Sequence, residues 1–128
     1  MSRVLLVALG GALGSALRYL VATAALDWLG PGFPWGTLVV NLAGSFAIGL
    51  AQQLATEGLV IGEETRLFLT TGLLGGLTTY SAFSYESVRL MEASAWGAAW
   101  LNVIGTTIAS LALCYLGLTT GRLLLAPR

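Results

Sequence analysis

The 128-residue chain is 56% hydrophobic and 9% charged, with a formal net charge of zero. A soluble domain carries about 25% charged residues, and a chain this short has too much surface to hide so much apolar side chain within itself, so the composition calls for an apolar solvent. Six Arg, no Lys and no His leave no basic face for nucleic acid and remove most metal and acid–base constellations.

Four apolar stretches follow one another, each near the roughly 20 residues that cross a hydrocarbon core. Together they predict an all-α integral membrane protein of one transmembrane domain, 1–128, embedded in a lipid bilayer. The first span runs over about residues 4–26. Arg3 before an apolar run imitates a signal peptide, but the run outlasts an h-region of about 7–15 residues and three more spans follow, so it reads as a retained helix. Gly10 and Gly14, then Gly11 and Ser15, have the spacing that lets helices approach closely. Arg18 lies one turn past Gly14. It either snorkels to the interface or gives a vestibule positive potential.

Asp27 and the cluster Gly30-Pro31-Gly32-Phe33-Pro34 mark a loop. The second span covers about 35–54. Thr37, Asn41 and Ser45 recur every four residues there and share one helix face. A polar stretch containing Gln52, Gln53, Thr56, Glu57, Gly62, Glu63 and Glu64 closes it.

The third span, about 66–91, has poor helix chemistry at its centre: Gly75-Gly76, then Thr78-Thr79. This predicts a helix broken near its middle. Carbonyls freed there must be buried in protein, face water or bind an ion. The alternative is a continuous helix whose glycines admit a neighbour. Tyr80 and Phe83 face together beyond the break, with Ser81 and Ser84 beside them.

The fourth span, about 96–118, carries a second stripe, Asn102, Thr106 and Ser110. Cys114 lies in an apolar run, and a lone cysteine builds no disulfide within the chain. Trp28, Trp35, Trp96 and Trp100 fall near span ends, where amphipathic rings prefer to sit.

An even number of spans puts Arg3, Arg66, Arg122 and Arg128 on one side and Arg18 and Arg89 on the other. This weak bias permits insertion in both orientations. The two polar stripes and the aromatic face either line a narrow polar path or bond helices together. The acidic residues Asp27, Glu57, Glu63, Glu64, Glu86 and Glu92 lie at or near span ends, and no catalytic constellation or nucleotide motif can be assembled.

Three blocks, in order and correctly spaced, carry a resemblance. They are Gly10-Gly11-x-x-Gly14-x-x-x-Arg18-Tyr19, Gly36-Thr37-Leu38-x-x-Asn41-x-x-Gly44-Ser45-Phe46, and Gly75-Gly76-x-Thr78-Thr79-Tyr80-Ser81-x-Phe83. The chain resembles the CrcB/Fluc fluoride channel family. The resemblance implies an antiparallel, dual-topology homodimer in the cell inner (plasma) membrane, with two pores that conduct fluoride passively out of the cytoplasm and so reduce fluoride toxicity. It implies a structural sodium ion, not transported, held by backbone carbonyls that fall on Gly75 and Thr78. It places Asn41, Tyr80 and Phe83 on the fluoride pathway, with the helix-four polar track on Asn102, Thr106 and Ser110. Ser81 stands with them as a hydroxyl donor, and Arg18 and Glu86 match vestibule positions.

Three positions depart from the family pattern. Tyr80 stands for the first pore phenylalanine, Ala82 where a hydroxyl residue is common, and Asn102 where some relatives have Tyr. Two other readings remain for a chain of this kind. A small multidrug-type cation transporter needs a membrane-embedded carboxylate, which span one lacks. A non-conducting assembly subunit would use the small and hydroxyl residues for packing alone.

Overall fold

The computed structural model describes residues 2–56 and 61–126, and every regular element among them is helical. Glu57 and Arg128, counted above among the span-end charges, lie outside the described residues. Helix α1 spans Arg3–Leu29. Ser2 opens it, its hydroxyl oxygen accepting the Leu5 N–H at 3.3 Å. Gly30 closes it at φ 77°, a left-handed value that a side chain would strain, and its N–H bonds the Leu26 carbonyl at 3.0 Å. Helix α2, Trp35–Thr56, begins directly after Pro34, where a missing N–H is harmless.

Helix α3 covers 63–77 in three pieces: an α-turn at Glu63–Leu67, a π-helical stretch at Phe68–Leu74 and a last turn at Gly75–Leu77. Glu63 and Glu64 occupy its first turn, where the helix dipole favours negative charge. The chain is then extended at Thr78 (ψ 152°) and Thr79 (φ −151°). Helix α4, Tyr80–Glu92, starts immediately after, and the Thr79 hydroxyl oxygen caps it by accepting the Ala82 N–H at 3.2 Å. Helix α5 spans Trp96–Leu125 and contains a second π-helical stretch at Leu101–Gly105.

Among the described residues three helices, α1, α2 and α5, are long and apolar enough to cross a bilayer. Helix α3 would reach only ~22 Å, short of a hydrocarbon core of about 30 Å, so α3 and α4 can cover that distance only in tandem. The helices outrun the hydrophobic stretches: α1 continues to Leu29, α2 to Thr56 and α5 to Leu125. Hydropathy marks where a helix leaves the apolar layer, whereas the backbone keeps its ladder until a cap or a turn residue ends it.

The extended residues are the two threonines, while Gly75 and Gly76 stay helical. Thr79 has a partner that an α-helix could not give it, described below. The glycines serve packing instead. A Cβ on Gly10 would lie 2.6 Å from the Phe68 carbonyl oxygen, and one on Gly14 would land on the Leu73 carbonyl, so α1 and α3 touch backbone to backbone. Gly11 faces the same seam, since a Cβ on Gly76 would lie 2.5 Å from its carbonyl. Helices α2 and α5 form the other large contact, through Gly49 and Gly117. Val40, Leu74 and Leu77 form a small core where these pairs meet, with Val21, Ala47 and Ile48 against it. Outward faces carry Leu13, Leu20, Ile108, Leu111 and Leu123, the apolar exterior that lipid requires.

Candidate functional site

The site grows from the break between α3 and α4. The Thr79 N–H donates to Asn41 Oδ1 at 2.8 Å, and Asn41 Nδ2 donates back to the Thr79 carbonyl at 3.1 Å. One side-chain amide thus satisfies both polar groups of a residue that has left the helix. This has a cost one turn away. In a continuous helix the Thr79 N–H would serve the Gly75 carbonyl, and the Ala82 N–H would serve that of Thr78. Both donors are committed elsewhere, to Asn41 and to the Thr79 hydroxyl. The interruption therefore removes the helical donors of the carbonyls from Gly75 to Thr78.

A cleft of about 370 Å³ opens beside the break. Asn41 and Ser45 of α2, Thr78 and Thr79, Tyr80 and Phe83 of α4, and Thr106 and Ser110 of α5 line it, and Gly75 borders it. Phe83 is 8% exposed and Tyr80 81% exposed. Their rings lie 5.5 Å apart, tilted by 41°. The break, two members of each polar stripe and the aromatic pair therefore meet at one place.

Not every residue singled out from the sequence reaches it. Ser81 is exposed, lies off the cleft wall and exchanges a hydrogen bond with the Thr79 hydroxyl at 3.2 Å. Asn102 is 1% exposed and sits behind the wall. Its Nδ2 donates to the Ser87 hydroxyl at 2.9 Å, while its Oδ1 accepts from Thr106 at 3.1 Å. Ser87 was not anticipated. Its position one turn after Phe83 was the available signal, since both then share a helix face.

The α2 stripe divides. Asn41 and Ser45 face the cleft, while Thr37 turns to a second cavity of about 490 Å³. That cavity lies among the end of α1, the loop after it, the start of α2 and α4, with Trp35, Tyr85, Glu86 and Arg89 on its wall. Thr37 donates to Glu86 Oε1 at 2.7 Å. Glu86 Oε2 is buried without a hydrogen-bond partner among the described residues. Arg89 pairs with Glu92 at 3.1 Å. Arg18 is half-buried on α1 and lines neither cavity. Gly10, Gly11 and Gly14 lie in the α1–α3 seam.

No group of three His, Cys, Asp or Glu converges among the described residues. Carbonyls freed at the break are hard oxygen donors without charge, a kind that suits an alkali ion better than a transition metal.

These features define a small, multi-pass helical membrane protein in which an interrupted helix meets a cleft whose largely apolar wall carries a few polar groups. The family described as "CrcB-like protein, Camphor Resistance (CrcB)" matches residues 5–118. The chain is 50% identical over 121 residues to a "Fluoride-specific ion channel FluC" of Thermus thermophilus, covering 94% of this chain and 96% of that protein. It is 47% identical over 122 residues to the protein of the same name from Agrobacterium fabrum, covering 95% and 98%. The Magnetococcus marinus protein so named is 45% identical over 118 residues, covering 92% and 96%. The chain belongs to the CrcB family.

Proposed function

We infer that this protein is a fluoride channel. Identity of 45–50% along almost the whole chain to proteins named as fluoride-specific channels is the observation that carries this reading. The cleft supports it physically. Fluoride is small and strongly hydrated, so a path must replace lost water with hydrogen-bond donors. Asn41 has a second Nδ2 proton beyond the one given to Thr79, and Ser110 has a hydroxyl on the wall. The edges of the Tyr80 and Phe83 rings present weak positive poles to an anion and keep the path narrow. Thr106 completes the set on the cleft wall, with Asn102 behind it and Ser81 exposed beside the break, and Arg18 and Glu86 are assigned to the vestibules.

The functional unit is an antiparallel homodimer of four-span chains in the plasma membrane, inserted in both orientations. Gly75, Tyr80 and Ser81 are exposed on the single chain at the middle of the third span, where a second copy would cover them. Two copies bring together four carbonyls from Gly75 and Thr78, which would hold a structural sodium ion. Bound there, it supplies a fixed positive charge and satisfies carbonyls the interruption leaves without donors. Flow through such a pore is downhill, carries fluoride out of the cytoplasm and lowers its toxicity there.

Purified protein in liposomes, loaded with fluoride and followed by a fluoride electrode, tests this. Rapid fluoride efflux with little chloride efflux is expected, and Phe83→Ile should slow the fluoride. Chloride leak at a similar rate would defeat selective fluoride conduction. Absence of fluoride flux from a verified folded dimer would favour a non-conducting subunit.

A further inference from the structure

Asn102 is the largest side chain that is fully enclosed among the described residues, and its amide lies in a chain of hydrogen bonds with one direction. Thr106 donates to Asn102 Oδ1 at 3.1 Å, Asn102 Nδ2 donates to Ser87 Oγ at 2.9 Å, and Ser87 donates to the Phe83 carbonyl at 2.7 Å. The two ends of this chain, Thr106 and Phe83, line the cleft, whereas the two middle members do not. Ser87 is 4% exposed, so the link between α4 and α5 is sealed from solvent. Burying an amide and two hydroxyls costs free energy unless they are bonded, and here every one of them is. Asn102 also lies within the π-helical stretch Leu101–Gly105, a local departure from α-helix of a kind frequent at functional sites.

We propose that Asn102 and Ser87 are positioning residues, which hold Phe83 of α4 and Thr106 of α5 at one spacing across the cleft. Asn102 acts from behind the wall and does not touch the ion. The same chain directs the Thr106 hydroxyl proton away from the cleft, so Thr106 donates to an anion only when its bond to Asn102 is released. This proposal rests on the reading of the chain as a fluoride channel: a width set by the link discriminates fluoride from the larger chloride.

The test compares wild type, Ser87→Ala, Asn102→Leu and the double variant in liposomes, measuring fluoride and chloride efflux. A second arm places 4-fluorophenylalanine at position 83 and records its fluorine resonance. Each single variant should lower the fluoride-to-chloride ratio about tenfold. The double variant should be no worse than the more severe single one, because both cut the same chain. Both single variants should shift the resonance at position 83. An unchanged ratio and resonance in Ser87→Ala, beside lost flux in Asn102→Leu, would overturn the proposal and put Asn102 on the ion path. Multiplying effects in the double variant would also overturn it. Should Asn102→Leu not elute as a folded species, Ser87→Ala decides alone. A wild type without fluoride flux defeats the channel reading only, and the fluorine resonance then decides the positioning role by itself.

Discussion

Asn41 makes two hydrogen bonds to a single residue's backbone, and that pairing admits no close substitute. Aspartate has the same shape but no amide protons. At position 41 it would still accept from the Thr79 N–H, yet would set a second oxygen against the Thr79 carbonyl and bring negative charge to the cleft. Asn41→Asp is therefore expected to lower stability by about 1–3 kcal/mol, read as a fall in the thermal unfolding midpoint, and to suppress fluoride efflux. By contrast, the Arg3–Glu63 ion pair spans 2.9 Å on an open surface, and Glu63→Gln should leave the midpoint unchanged. The four-residue recurrence of Asn41 already made it legible as a member of a polar face. Its partner was not legible, because a bond to the backbone of Thr79 leaves no trace in side-chain patterns. The turning of Asn102 behind the wall was hidden for a related reason: it sits in the π-helical stretch, and composition does not register an extra residue in a turn.

The seam between α1 and α3 makes a different kind of demand. Glycines at 10 and 14 are required because carbonyls of α3 occupy the space a side chain would fill. Gly14→Val should disrupt that contact and lower the yield of folded protein on size-exclusion chromatography. Gly97 has nothing within 4 Å, and Gly97→Ala should be neutral or stabilising by about 0.4–1 kcal/mol through a less flexible unfolded chain. The small-xxx-small spacing in α1 was readable because its members stand four apart. Gly117 and Gly121 of the α2–α5 contact also stand four apart, and that spacing was overlooked, whereas Gly49 gains its meaning only from the α5 backbone set against it. The interruption was readable at the level of a segment, from Gly75 to Thr79. Its location on the threonines depends on where Asn41 reaches, a matter of how α2 packs.

For the whole molecule, the most informative surface is the one that a soluble protein would never leave open at mid-span. Gly75 is exposed, and the nearest atom to a Cβ built on it is the Thr70 carbonyl oxygen at 3.7 Å, an ordinary contact. A leucine there fits the single chain but stands where a second copy would lie. Gly75→Leu should keep the helical circular dichroism of the wild type and elute as a monomer that conducts no fluoride. An unaltered dimer would place the pairing surface elsewhere.

The pairing of Asn41 with Thr79 has a consequence for the birth of the protein. A segment made of α3 and α4 cannot be released into lipid alone, since its exposed peptide would find no donor or acceptor among acyl chains. The residue that answers it lies 38 positions earlier in the chain and leaves the ribosome first. The third segment is therefore expected to enter the bilayer against α2 rather than alone. Removing the Asn41 amide should then also be felt at synthesis, as a lower yield of membrane-inserted chain.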